Sequence, residues 1–390
     1  GANVSGSATM YGKTDVRLTD DPQRARLALW LTGTVVSRNV GVKRRVRVHN
    51  AGQTQVRALK YVFISPTGLT ASAAVARCST DTSILGVSAG SCLVEALARR
   101  QVRRQQGQAE SVASRRAEDR VEQRFDVRAQ ELLAKANDSF QEKFRNPLLR
   151  RNEFPQVMQF STQGDILNVV RRQANAAQVA ASTPPPALSG QQDLAVRVHE
   201  SFVSNFSRAM LGGVTLTDER LEKILLDTNG SVPDELKVTQ DKEPWSITFS
   251  SIDPVSAEFS DGMIRFAIRG RRFTMGDQPF NDRLEMSAIY KLEKIPNGAH
   301  LTRQGDVSVE FIDEIKGTRS PKQVALRMVM RRKFEALFEP EFRTDGLTLP
   351  GRWKAAGKLP LNQMRSQAQW LTLGWTKGPA AEVQTAQVNR

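Results

Sequence analysis

CLVEALARRQ VRRQQGQAES VASRRAEDRV EQRFDVRAQE LLAKANDSFQ EKFR, running from Cys92 to Arg145, is the stretch that decides the fold. No proline occurs between Leu93 and Arg145, and Gly107 is the only glycine. Ala, Arg, Glu and Gln dominate, and all of them favour a helix. A continuous helix of this length spans ~80 Å at 1.5 Å per residue. Asn146-Pro147 ends or kinks it, because proline restricts its predecessor and cannot donate a hydrogen bond.

The apolar pattern within this helix repeats in steps of four. Ala109, Ala113, Ala117, Val121 and Phe125 form one run. After one step of seven, Leu132, Ala136, Phe140, Phe144 and Leu148 form another. A coiled-coil seam steps three and four alternately. Each step of four instead advances the stripe by about 40° on a helix of 3.6 residues per turn. The stripe therefore winds around the helix, as it would beneath a twisted sheet. Between Arg99 and Arg128 lie nine arginines and five acids: Arg99, Arg100, Arg103, Arg104, Arg115, Arg116, Arg120, Arg124 and Arg128 make a basic face. That face is either a solvated surface or a docking surface for a polyanion.

Working outward, the segment before the helix reads as strands. Arg26 to Gly33 alternates, as does Arg45 to His49, and Asn50-Ala51-Gly52 reads as a turn before Val56 to Ile64. Cys78 and Cys92, the only cysteines, flank a small, polar, turn-rich stretch. It reads as a loop closed by a disulfide, which favours an oxidising compartment and hence export. Two cysteines with no histidine beside them are too few for a metal site.

After the helix, Gln173 to Gln192 is rich in Ala, Gln and Ser around Pro184-Pro185-Pro186 and reads as a linker. A helix is expected over Gln192 to Leu211, with Val198, Phe202, Phe206 and Met210 on one face. Strands follow. Ser260-Asp261-Gly262 between alternating runs predicts a hairpin, and Pro296-Asn297-Gly298 another turn. Val324 to Phe338 reads as a helix.

The whole chain has 390 residues, enough for two domains. Its net charge is +15, with arginine supplying 40 of 56 basic residues. Attraction to polyanions is one reading of this charge, and arginine as a generic surface residue is the other. The basic residues are spread along the chain without interleaved aromatics, which disfavours nucleic acid. No run approaches 18 apolar residues, so no helix crosses a membrane. Beginning at Gly1, the chain reads as a processed or trimmed form from which any targeting segment has been removed.

Catalytic motifs are sparse. His49, His199 and His300 fall in separate segments. Gly86-Val87-Ser88-Ala89-Gly90 matches the nucleophile-elbow pattern, but that motif needs a parallel sheet and converging His and acid. Gly6 and Gly12-Lys13-Thr14 miss the phosphate-loop spacing by one residue. Asp253, Glu258, Asp261 and Asp277 cluster in sequence, as they do in many strand-rich chains. No catalytic residue, metal ligand or cofactor follows from these motifs.

Two resemblances bear on the chain. His199 to Asn205, Trp245 to Phe249, Phe259 to Gly262 and Trp370 to Trp375 resemble segments of exported proteins of planctomycete-type bacteria, which implies export and no activity. Ser201 and Asn205 on an early helix, followed by a meander with Asp-Gly turns, are similar to the tubular lipid-binding family that includes bactericidal/permeability-increasing protein. That similarity implies a twisted sheet wrapped around a long helix over an apolar tunnel. The long helix here departs from the family in being highly charged, and no binding residue carries over.

The expected fold is α+β: a long antiparallel twisted meander packed on one long helix, with a few shorter helices. The expected parts are a meander with a disulfide loop over 1–92, the basic helix and its sequel over 93–172, a linker over 173–192 and an α+β domain over 193–390. The expected function is an exported, non-enzymatic binding protein for lipid or another apolar ligand. The alternative is a cell-envelope scaffold that holds acidic polymers or partner proteins. The expected partner is an apolar ligand or an anionic envelope component. The sequence does not fix the oligomeric state.

Overall fold

The computed structural model describes residues 3–150, 154–313 and 319–377. It is a mixed α+β protein, and the strand pairings of its two large sheets are antiparallel. The chain divides into two compact units, one of residues 1–150 and 157–171 and the other of residues 151–156 and 172–390.

The first unit is built on very long strands: β1 (Asn3–Thr19), β2 (Ala25–Lys43) and β3 (Val46–Ser65), followed by β4 (Gly68–Ala71) and β5 (Val75–Ser88). The order is β1-β2-β3, with β4 and β5 sharing the far side of β3. At 19 residues, β2 extends ~60 Å. Helix α1 (Cys92–Phe140) returns along β5, and its 49 residues cover ~74 Å. A π-helical stretch, Gln141–Arg145, then joins it to the short α2 (Asn146–Arg150). Pro147 is thus absorbed by a local widening of the helix, which relieves the clash between a proline ring and the preceding turn. The hairpin of β6 (Val157–Gln163) and β7 (Ile166–Arg172) closes the foot of this sheet. There Thr162 exchanges two backbone hydrogen bonds of 3.0 Å with Asp21.

The cysteine loop expected over 78–92 is not present. Residues 75–88 are strand β5, and Cys78 is a free thiol paired across the ladder with Val56. Cys78 lies beside Glu118, ~39 Å along α1 from Cys92. A disulfide needs Cα atoms within about 7 Å, so this bridge cannot form. The argument for an oxidising compartment goes with it. Small polar residues mislead here, because an edge strand can be held through its backbone alone.

The second unit contains β8 (Leu194–His199), α3 (Glu200–Leu211), β9 (Thr215–Thr217) and α4 (Asp218–Asn229). Strands β10 (Trp245–Phe249), β11 (Val255–Ser260), β12 (Met263–Met275), β13 (Gln278–Phe280), β14 (Leu284–Ile295), β15 (Gly298–Arg303) and β16 (Ser308–Phe311) follow. Then come α5 (Pro321–Leu337), β17 (Glu341–Thr344), β18 (Leu347–Thr348), β19 (Lys358–Leu359), β20 (Leu361–Gln367) and β21 (Trp370–Trp375). The helix expected over Gln192 to Leu211 is therefore half strand: Leu194, Val196 and Val198 alternate in β8, which pairs with β21.

Asp261, at φ 49°, and Gly262 make the expected hairpin between β11 and β12. The core packs Ile247, Phe273, Leu284, Met286 and Tyr290 against Leu326, Met330 and Phe334 of α5. Those three α5 residues recur every four positions, which puts them on one face. Ser320 and Gln323 close a capping box at the helix start. Residues of the expected linker are tied down: Asn205 donates to Gln173 O at 2.7 Å and Val179 O at 3.0 Å, and Trp370 Nε1 to Thr183 Oγ1 at 3.0 Å.

Candidate functional site

Register places the side chains of the first sheet in rows across the strands. Thr14, Leu31, Ala58 and Ala76 form one row, and Met10, Val35, Thr54 and Thr80 another. Direct cross-strand partners share a face. One face of the sheet thus carries Val4, Met10, Val16 and Leu18 from β1, Leu27, Leu29, Leu31 and Val35 from β2, and Val56, Ala58 and Val62 from β3. Gly12 and Gly33 stand opposite each other on this face, and a Cβ on either would meet a backbone oxygen at under 3 Å. This close approach requires glycine and brings β1 tightly against β2.

Burial on this face falls off from β3 to β1. Val56 is 1% exposed, Ala58 2% and Ala76 0%, whereas Met10 is 40%, Val16 59% and Val4 64%. Helix α1 covers only the β5 side. Its attachment there is polar. The backbone N–H groups of Ala74, Ala76, Cys78, Thr80 and Thr82 are accepted in turn by Asp126, Glu122, Glu118, Ser114 and Glu110, at 2.8 to 3.0 Å.

Two strand residues advance ~6.7 Å and four helical residues 6.0 Å, so alternate edge N–H groups meet every fourth helical side chain. Asn137 continues the pattern by donating to Leu69 O at 2.8 Å and accepting from Leu69 N at 2.7 Å. Gln106 donates to Thr82 O at 2.6 Å and to Glu110 Oε1 at 3.1 Å; the second of these, with the bonds from the Thr82 hydroxyl and backbone N–H, holds the Glu110 carboxyl below the usual carboxylate range. The step of four seen in the apolar stripe is the same period, one position earlier on the helix.

A buried cation sits where α1 meets β3. Lys60 is 5% exposed, and its Nζ donates to Asp126 Oδ1 and to Ser72 O, both at 2.5 Å. Burial, with Glu118 and Glu122 nearby, pushes the Cys78 thiol up to about 11.

The nine arginines of the basic face are all exposed. Arg116, Arg120, Arg124 and Arg128 follow Ser114, Glu118, Glu122 and Asp126 by two positions, about 200° around the helix, and so point away from β5. Arg99 pairs with Glu95 at 2.6 Å and Arg128 with Glu131 at 2.9 Å. Of the apolar face, Phe140, Phe144 and Leu148 are half-buried and the rings of Phe140 and Phe144 lie 5.4 Å apart. Leu132, 55% exposed, and Ala136 face solvent instead. The buried residue in that region is Ala129, with Leu133 half-buried. In the second unit Phe202 stacks on Phe206 at 5.7 Å, and Met210 is half-buried.

The remaining candidates for chemistry hold structure. His199 caps α3, its Nδ1 accepting from Ser201 N at 3.2 Å, and packs edge-on against Trp370. His300 Nε2 is 3.2 Å from Glu341. Ser88 ends an antiparallel edge strand opposite Arg47. Glu258 pairs with Arg265 at 2.9 Å; Glu285 bonds Arg265, and Arg269 at 2.7 Å. Burial raises the Glu285 carboxyl, but the two arginines outweigh it and hold it low. Asp261 is the hairpin turn. Among the described residues no group of His, Cys, Asp and Glu could hold a metal ion, and no helix is long and apolar enough to cross a membrane.

No protein-family model matches the chain, and the curated proteins include no match. The resemblance to exported planctomycete-type proteins is thus unsupported. Among solved structures the chain is similar to a lipopolysaccharide binding protein, at 14% identity and a TM-score of 0.29, with 96% of this chain and 91% of that chain covered. A likeness of this size carries no inference.

Proposed function

We propose that the first unit is a non-enzymatic binding module for an apolar ligand, taken up on the uncovered half of its sheet. One observation carries this reading. Val4, Met10 and Val16 are 64%, 40% and 59% exposed on the same face that is buried at Val56 and Ala58. Isolated exposed apolar residues are ordinary, but a contiguous apolar strip marks an interaction surface. Leu29, Leu31 and Val35 continue the strip across β2 beside Met10 and Val16, whereas Ser37 and Asn39, opposite Ala8 and Gly6, separate this part from Val4. The two strands are long and regularly alternating, so the strip suits an extended aliphatic chain, as in a fatty acid or the acyl part of a lipid.

Solvent extraction of the purified full chain followed by mass spectrometry tests the reading, together with titration of a fluorescent fatty acid. Co-purifying lipid, or saturable probe binding that Val16→Asp weakens, is the expected result. Tyr11→Ser alters the opposite face, where Tyr11 is 67% exposed, and leaves binding intact. A chain that carries no lipid and binds no probe, or equal losses from both variants, overturns it.

A further inference from the structure

We propose that the end of the first unit formed by the β2–β3 turn and the start of α1 docks on an anionic lipid bilayer. Several segments converge there by register. Lys43 pairs with Val46 across the turn, Val4 with Gly41, and Arg47 with Ser88, and helix α1 begins four residues after Ser88.

This end carries exposed apolar side chains that nothing in the unit covers. Leu93 is 81% exposed, Leu97 71%, Leu85 63% and Val94 47%. Leu85 is the extra residue where the β3–β5 register shifts between His49 and Asn50. A bulge of this kind re-aims a side chain out of the ladder. Leu93 and Leu97 are one turn apart on α1, while Glu95 and Ala98 turn inward.

The same end is strongly cationic. Lys43, Arg44, Arg45 and Arg47 are exposed at the turn, and Arg99, Arg100, Arg103 and Arg104 are exposed on α1. No acid occurs from Pro22 to Thr80. Glu95, the one acid between Thr82 and Gln108, is paired with Arg99 at 2.6 Å.

Leu93, Leu97, Arg100 and Arg104 share one helical face, with Arg100 ~10 Å further along the axis than Leu93. That offset matches the depth from the headgroup layer to the acyl boundary, where interfacial segments bury their apolar side chains. A polyanion dissolved in water would satisfy the arginines but offer nothing to the leucines. A bilayer with acidic headgroups meets both.

Co-sedimentation of the full chain with vesicles of phosphatidylcholine, with and without phosphatidylglycerol, tests the proposal at low and high salt. The expected result is binding to the anionic vesicles that weakens with salt, and little binding to the neutral ones. Arg45→Glu/Arg47→Glu weakens it by about tenfold or more. Leu93→Ser/Leu97→Ser, which leaves the charge unchanged, weakens it by about tenfold. Arg115→Glu/Arg116→Glu makes the same charge change ~35 Å along α1 from its start, beyond the screening length, and costs less than about threefold. All six positions are exposed or surface-facing, and circular dichroism verifies that each variant keeps its fold. Failure to sediment with anionic vesicles overturns the proposal. So do equal losses from the two arginine pairs, or unchanged binding of the leucine variant.

Discussion

Glu118 on α1 accepts the backbone N–H of Cys78 on β5 at 2.9 Å, and one turn further on Glu122 accepts that of Ala76 at 2.8 Å. An edge strand normally presents a row of unpaired N–H groups that invites other chains to pair. Here the helix supplies the acceptors. Glu118→Ala/Glu122→Ala leaves the N–H groups of half-buried Cys78 and buried Ala76 without partners and lowers stability by about 1–3 kcal/mol for each. Glu118→Gln/Glu122→Gln keeps an acceptor oxygen at each position and loses less. Urea unfolding of the three proteins ranks them. Equal midpoints for the Ala and Gln pairs would show that the acceptors contribute nothing.

Glu110 makes the same attachment acid-sensitive. Hydrogen bonds from the side chains of Gln106 and Thr82, then from the Thr82 backbone, hold its carboxyl below 4.5 in the folded state. A group with a lowered folded pKa contributes stability above its unfolded pKa and loses that contribution as pH falls through the folded value. Stability should therefore drop below pH ~4.5 with a steeper slope in the parent chain than in Glu110→Gln. Unfolding midpoints measured from neutral to acid pH decide this, and parallel curves would remove Glu110 from the acid response.

The long helix and the alternating strands of the meander were legible in the sequence, because each rests on a local periodicity; the four-residue apolar stripe does not describe the covered face throughout, since Leu132 and Ala136 face solvent where Ala129 is buried. The docking residues Glu110, Ser114, Glu118, Glu122 and Asp126 share that period, yet on a charged helix they read as solvent-facing. Their signal was the spacing itself, four residues apart and adjacent to Ala109, Ala113, Ala117, Val121 and Phe125. Strand β5 was illegible for a related reason. Ser79 and Ser83 are exposed, the Thr80 and Thr82 hydroxyls bond to Thr54 and Glu110, and the rest of the strand's attachment to the helix runs through its backbone, which composition does not report. The open apolar strip emerges only from register, since Val16 and Leu29 are neighbours through a pairing no local pattern specifies.

The Cys78 thiol gives a chemical readout of this edge. Burial comes first, with the charges of Glu118 and Glu122 adding to it, in raising its pKa to about 11. At mildly alkaline pH it holds about a hundredfold less thiolate than an ordinary cysteine, and alkylation slows in proportion. Iodoacetamide labelling followed by peptide mass spectrometry should show Cys78 slow in the native chain and ordinary in urea. A peptide linking Cys78 to Cys92 in the unreduced protein would contradict the free thiol and the strand that carries it.

Lys60 and Asp126 predict an asymmetry. Lys60 is buried at 5% exposure, whereas the Asp126 side chain is 40% exposed and also accepts from Ala74 N at 2.8 Å. Asp126→Ala strands a cation among Ala58, Val62 and the helix, with only Ser72 O for a partner, and costs about 3–5 kcal/mol. Lys60→Met replaces the cation by an apolar chain of similar length. Asp126 keeps its backbone donor and its access to water, so the loss stays within about 1 kcal/mol. In the double variant, Lys60→Met should recover most of what Asp126→Ala removes, because the uncompensated charge is gone. Thermal unfolding of the four proteins closes the cycle. Additive losses would show that the ammonium is solvated in solution and that α1 is not seated on β3 as the pairing of these two residues requires.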